Sequence, residues 1–365
     1  MLNVKLNNNL NPNPDFERLR KVLLRDGIPD KVPFYEHFVD DEIIEAITGL
    51  LITKLDLAKK DEKEKYYKTK IDFYYQLGYD YVPIEVPTLT TYTLSTDDTA
   101  QLPRQQRNWQ DENKGPISNW DEFEKYPWPK KGNELDYSVF EISIKNLPDG
   151  MKIIGGVAGG IFEHLSQLMG LVPLSYALYD NPDLVQAIVD KIGEVIYTAD
   201  TNIIQICGNK LGALRMGDDM GYKTSTMLPP VMLKKYIFPW QKRIVEIAHK
   251  NNLPFILHSC GQLEDIMDDL INFVGIDAKH SFEDIIMPVT EFKKKYGDRI
   301  SVLGGVDVDK LCRLPEQELR KYVRNILDIC ASDGGYALGS GNTITNYMNI
   351  NNYLAMLDEG QNWHY

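Results

Sequence analysis

One pair of residues stands out by type and spacing among the six histidines and four cysteines of this 365-residue chain. His258 and Cys260 close the run Phe255-Ile256-Leu257-His258-Ser259-Cys260-Gly261, introduced by Pro254. In an extended backbone, residues i and i+2 point to the same face. An imidazole and a thiolate converging in this way are half of a zinc site. Catalytic zinc takes three protein ligands and keeps one position open, so a third donor is needed. Glu36, His37, Glu163, Asp218, Asp219, His280 and Asn342 are the candidates. Cys207 falls late in a helical stretch, Cys312 just before one and Cys330 on an apolar helical face. Packing is the plain reading for these three.

Other chemistries find less support. Gly155-Gly156-Val157-Ala158-Gly159-Gly160 is glycine-rich but lacks the lysine of a phosphate loop, and reads as a tight strand-to-helix turn. There is no Gly-x-Ser-x-Gly elbow for a serine nucleophile.

Converging these residues requires a scaffold whose strand ends meet. Short apolar runs predict eight strands, at 32–38, 79–86, 151–157, 213–217, 255–258, 275–279, 300–304 and 335–338. Helical spacing predicts helices at 15–24, 40–51, 61–77, 161–169, 182–207, 230–250, 315–331 and 350–358. The stripe Leu184, Ile188, Ile192, Val195, Ile196, Ile203 and Ile204, started by Asn181-Pro182, is the clearest of these. Eight strands alternating with helices predict an α/β fold, a (β/α)8 TIM barrel, with a doubly wound open sheet as the alternative. Residues 87–150 break the rhythm and read as an insertion after the second strand. Hairpin-like loops and a short helix, capped near Asn119 and stopped at Pro127, are expected there, in a stretch that also holds Trp109, Trp120 and Trp128. The whole chain, 1–365, reads as one domain.

In such a barrel, sites form at the C-terminal strand ends. Those ends carry Glu36 and His37 after the first strand, Asp218 and Asp219 after the fourth, and His258 and Cys260 after the fifth. His280 follows the sixth, Asp307 the seventh, and Ser340 and Asn342 the eighth. Any one of these has a bland explanation, since a histidine can be a hydrogen-bonded core residue and an aspartate can cap the next helix. Agreement among several ends favours a site.

A net charge of −13 argues against nucleic acid and anionic membranes as partners. Four cysteines without repeated spacing indicate a reducing compartment. No apolar run approaches the ~20 residues of a membrane span, and the Asn-rich start has no signal-peptide core. A cytoplasmic protein is expected.

The pattern resembles the uroporphyrinogen decarboxylase superfamily from about Val32 to Leu357, and its zinc-dependent methyltransferase branch more than its decarboxylases. The resemblance rests on Gly217-Asp218-Asp219-Met220-Gly221, Phe238-Pro239-Trp240, Leu257-His258-Ser259-Cys260-Gly261, Gly304-Gly305-Val306-Asp307 and Gly339-Ser340-Gly341-Asn342 with Asn351-Asn352-Tyr353. The decarboxylases carry an Arg-Gln-x-Gly-Arg segment after the first strand, whereas this chain has Tyr35-Glu36-His37-Phe38-Val39-Asp40. The His-x-Cys pair matches the methyltransferases that serve corrinoid proteins; their further cysteine after the last strand corresponds to Asn342 here. The resemblance implies Zn²⁺ on His258 and Cys260, acting as a Lewis acid on the heteroatom of a methyl donor such as a methoxylated aromatic or a methylamine. It implies a corrinoid supplied by a partner protein, since this chain shows no cobalamin-binding motif of its own. Asp218 and Asp219 would orient substrate or support the ligands, and His280 and Glu163 would transfer protons or complete the metal site. Glu36, His37, Asn342 and Asp307 would face the substrate. The aromatic stretch would pack on a methoxylated aromatic or on the cobalamin domain. A metal-free lyase acting on a cyclic or aromatic acid, and a non-catalytic binding protein, are the alternatives.

Overall fold

The structure is a computed structural model that describes residues 12–89, 94–98, 106–110, 112–129 and 134–365. Its centre is a parallel sheet of seven strands. In chain order these are β1 (Tyr81–Pro87), β4 (Lys152–Ala158), β5 (Leu211–Gly217), β6 (Phe255–His258), β7 (Ala278–His280), β8 (Ser301–Leu303) and β9 (Tyr336–Ala337). Two further strands, β2 (Leu94–Asp98) and β3 (Gln106–Gln110), form a separate antiparallel hairpin. Each strand of the large sheet pairs with the next one in sequence, so the order never reverses. A doubly wound sheet requires such a reversal, and that alternative falls. The sheet curls into a half-barrel of TIM-barrel type.

Strand composition follows from burial on both faces. Every residue of β5 is buried, as are all of β6 and β7. Helices cover the outside. Pro182–Cys207 starts with proline in its first turn and buries Leu184, Ile188, Ile192, Val195, Ile196 and Ile203 against the sheet. Ile161–Met169 and Glu316–Cys330 bury comparable apolar stripes. The helix expected at 230–250 contains a π-helical turn, Leu233–Ile237, before Phe238–Lys250. No helix among the described residues is long and apolar enough to cross a membrane.

The expected first strand, 32–38, is a correction. It makes only isolated parallel bridges, Phe34 with Leu338 and, beyond its end, Val39 with Ile344. Tyr35 N–H donates to Leu338 O and Leu338 N–H to Pro33 O. On the β1 side no ladder forms, because a side chain takes its place. The buried Tyr81 hydroxyl accepts from Glu36 N–H at 2.8 Å and donates to Glu36 O at 2.6 Å. Both edges of the sheet thus reach the segment 33–39, one through backbone and one through a phenol.

The stretch 87–150 holds the hairpin β2–β3 and two helices, Trp120–Lys125 and Ser138–Asn146. Asn119 caps the first by accepting from Glu122 N–H at 3.0 Å. Ile117 N–H donates to Leu168 O, which docks this stretch on the C-terminal end of the Ile161–Met169 helix. Trp128 packs with Phe123 and Tyr126, while Trp120 stays exposed. Residues 90–93, 99–105, 111 and 130–133 of this stretch lie outside the described residues.

Candidate metal centre

Three strands bring the site together. Gly217 pairs with His258 and His258 with His280, so the ends of β5, β6 and β7 lie side by side. Beyond Gly217 the chain turns through Asp218 and Asp219, and beyond His258 through Ser259 and Cys260.

His258 and Cys260 do face the same way. Cys260 Sγ is 3.4 Å from His258 Nε2. Asp219 completes a triangle: its Oδ1 is 3.7 Å from His258 Nε2 and accepts Cys260 N–H at 2.8 Å. One ligand atom from each of the three lies within 4.8 Å of the others. Zinc bonds of about 2.0–2.3 Å at tetrahedral angles put neighbouring donors roughly 3.3–3.6 Å apart. The nitrogen–sulfur and nitrogen–oxygen separations, 3.4 and 3.7 Å, are therefore close to those around a zinc ion. His258 is buried while Cys260 and Asp219 are half-buried, which leaves one side of the triangle open.

Two neutral donors aim at the sulfur. Asn342 Nδ2 is 3.2 Å from Cys260 Sγ and Ser281 Oγ is 3.5 Å away. Burial, and then the charge of Asp219, push the Cys260 thiol well above its ordinary range. A cation reverses that balance, because metal coordination deprotonates a thiol.

The other two histidines lie behind the triangle. The His37 ring stacks on His258 at 3.8 Å between centroids and 13° between planes. His280 Nδ1 is 2.7 Å from His258 Nδ1, and His280 Nε2 is 3.1 Å from Ser340 O. His37, His258 and His280 also bring ring nitrogens close together. At 2.7 Å, however, the His258–His280 contact is a hydrogen bond, shorter than the roughly 3.3 Å between nitrogens on one tetrahedral ion. Burial lowers the pKa of all three rings, that of His280 to about 3.

An acidic group flanks the triangle on the β4–β5 side. Asp218 is fully buried, with Oδ1 accepting from Glu163 N–H at 2.9 Å and Oδ2 from Gln241 Nε2 at 2.7 Å. It sits over the N-terminus of the Ile161–Met169 helix, where a carboxylate is favoured. Gly160 makes room for it: a Cβ there would lie 2.4 Å from Asp218 Cβ and Cγ. Burial raises Asp218 to about 7. Burial also raises Asp219, and it raises Glu163 well above the carboxylate range with the charges of Asp219 and Asp218 added.

The remaining expected residues are more dispersed. Asn342 and Asp307 line a cleft of ≈ 720 Å³ with Asp40, Glu283, Asp284 and Asp309. Asp307 also caps the Val308–Arg313 helix through Lys310 N–H and accepts Asp284 N–H at 2.9 Å. Glu36 is fully buried away from the triangle; Oε1 accepts Ser340 N–H at 2.8 Å and Oε2 the Ser340 hydroxyl. Burial raises its pKa to about 8.

Sequence reasoning passed over Ser281, Gln241, Arg215 and Lys279. Arg215 holds His37 in place, donating to His37 O at 2.6 Å and to Glu85 at 2.6 Å. Buried Lys279 donates to the carbonyls of Ser259 and Ser281. A charged residue inside an otherwise apolar strand, as in Leu214-Arg215-Met216 and Ala278-Lys279-His280, was the available signal for both. Gln241 is buried on the Phe238–Lys250 helix, among other polar residues of that stretch, and carries no such mark.

Comparison with known proteins agrees with this geometry at the level of fold and family. A methyltransferase from Methanosarcina mazei superposes with a TM-score of 0.68 at 15% identity, covering 96% of this chain and 99% of that one. A putative vitamin-B12-independent methionine synthase from Listeria monocytogenes gives 0.49 at 10% identity, over 92% and 98%. No curated protein sequence matches. Residues 112–363, more than half the chain, match the profile described as uroporphyrinogen decarboxylase (URO-D), and the chain belongs to that family.

Proposed function

We propose that this protein is a methyltransferase that moves a methyl group between a small substrate and a corrinoid protein, with Zn²⁺ held by His258, Cys260 and Asp219. The observation that carries the reading is the donor triangle, one nitrogen 3.4 Å from a sulfur and 3.7 Å from a carboxylate oxygen, all three within 4.8 Å of one another beside a cleft. The methyltransferase from Methanosarcina mazei with the same fold supports it. Segment 33–39 takes the place of an eighth strand in the barrel.

Bound zinc supplies a Lewis acid for the heteroatom that carries the methyl group. The chain's own residues do the rest. Asn342 and Ser281 donate to the Cys260 sulfur and hold it toward His258. Burial and the charges of Asp219 and Asp218 push the Glu163 carboxyl well above the carboxylate range, which makes it the proton-carrying group at the edge of the triangle. When the methyl group leaves for reduced cobalt, the heteroatom keeps the bonding pair and takes that proton. Asp218 positions Glu163 by accepting its N–H. Asn342 joins the sulfur to the cleft, where substrate would lie and where Asp307 forms part of the wall. His37 packs the His258 ring in place. Four free cysteines suit a reducing cytoplasm.

A metal-free decarboxylase acting on a polycarboxylate is disfavoured by the cleft, whose described lining holds five carboxylates against one lysine. The test is methyl transfer to reduced cobalamin, followed by its visible spectrum, across oxygen-, nitrogen- and sulfur-methyl donors. Turnover with one class, lost in Cys260→Ala, is the expected result. No transfer from any donor by zinc-replete protein would sink the proposal.

A further inference from the structure

His258 can serve a metal through Nε2 only if that nitrogen is free of hydrogen, and the residues behind it bear on this. Ser340 fixes the first hydrogen. Its carbonyl can only accept, so the 3.1 Å contact puts a hydrogen on His280 Nε2. A neutral imidazole has one donor and one acceptor nitrogen, which makes His280 Nδ1 the acceptor. The two Nδ1 atoms face each other at 2.7 Å, room for a single hydrogen, which His258 must then provide. His258 Nε2 is left as a lone pair directed at Cys260 Sγ and Asp219 Oδ1.

The anchor of this relay is itself fixed. Ser340 is tied to Glu36 through its N–H and its hydroxyl. Gly304, at φ +74°, keeps the contact open: a Cβ there would lie 2.2 Å from Ser340 O and 3.0 Å from His280 Nε2. His280 is fully buried, and its hydrogen-bond partners are a carbonyl and a second imidazole rather than a carboxylate, a setting that disfavours the charged ring.

We propose that His280, pinned to the Ser340 carbonyl, is a positioning residue that fixes His258 as the Nδ1–H tautomer and reserves its Nε2 for a metal ion. The proposal rests on the metal reading of the site. Partners of this kind orient a metal-bound histidine, and their loss typically weakens metal binding about 10–100-fold.

Two measurements test it. In metal-free wild type, nitrogen-15 NMR of the histidine rings should show His258 Nε2 without hydrogen and Nδ1 with one. Co²⁺ affinity, by chelator competition, should fall roughly 10–100-fold in His280→Phe, which keeps a ring but offers no acceptor. His280→Asn places a carbonyl oxygen near the lost Nδ1 and should recover most of the affinity. If His280→Phe does not fold, the wild-type spectrum and His280→Asn still decide. Hydrogen on His258 Nε2 in wild type, or unchanged Co²⁺ affinity in folded His280→Phe, would overturn the proposal. The expected tautomer with no Co²⁺ binding by wild type would overturn the metal reading, and with it the reserved role of Nε2, while the hydrogen-bond relay stood.

Discussion

Buried ionisable side chains set how this protein responds to pH, and they pull in opposite directions. His37, His258 and His280 all have folded pKa values below 6.5, chiefly through burial. Below pH 6.5 the unfolded chain takes up protons that the folded chain refuses. Their contribution is therefore intact above 6.5 and is lost as pH falls, by up to about 1.4 kcal/mol per pH unit for each ring. Glu36 and Asp218 do the reverse. Raised to about 8 and about 7, they stay protonated in the fold while the unfolded carboxyls ionise. Stability from these two is present below the unfolded values and is lost as pH rises through the folded ones. Above 6.5 the carboxyls dominate among these groups. Urea denaturation between pH 6.5 and 8 should show stability falling in wild type and a flatter profile in Glu36→Gln. The amide can still accept from Ser340 N–H and donate to its hydroxyl oxygen. An unchanged slope would show that Glu36 is not the neutral buried acid described above.

At the scale of elements, the join between segment 33–39 and β1 runs through the Tyr81 hydroxyl, beside the Arg215 bridge from His37 O to Glu85. Tyr81→Phe leaves Glu36 N–H and C=O unpaired in a buried site. A loss of about 1–3 kcal/mol for each unsatisfied group is expected from thermal or urea unfolding; a neutral result would mean that the segment is held elsewhere. This join also explains why the sequence misleads there. Residues 32–38 look like a strand, but their partner on one side is a side chain, and no period in the sequence reports that. Leu171–Asp180 was missed for a related reason. It buries Leu174 and Leu178 yet exposes Val172, Tyr176 and Tyr179, so apolar residues lie on both faces and the amphipathic signal is lost. Pro182–Cys207 was plain because one stripe is apolar and its proline sits at the start. Phe255–His258 was plain because a short apolar run ended in residues with chemistry of their own.

For the molecule as a whole, legibility divides the same way. His258–Cys260 is local, a two-residue spacing that any extended backbone converts into proximity. The third donor is not local. Asp219 stood among seven candidates, and choosing it requires the pairing of Gly217 with His258, which lies in no single stretch of sequence. The net charge is −13, and the cleft beside Asn342 shares that sign, with five carboxylates against one lysine in its described lining. Membership of the uroporphyrinogen decarboxylase family therefore should not carry that family name's substrate with it. Incubation with uroporphyrinogen should yield no carbon dioxide, and release above background would show that the acidic lining does not repel carboxylates as expected. The zinc triangle is tested by metal content, measured by plasma mass spectrometry on tag-free protein, wild type beside Cys260→Ala. Close to one zinc per chain in wild type and almost none in the variant is the expected result. Absence of zinc from wild type even after reconstitution, or equal zinc in both proteins, would contradict it.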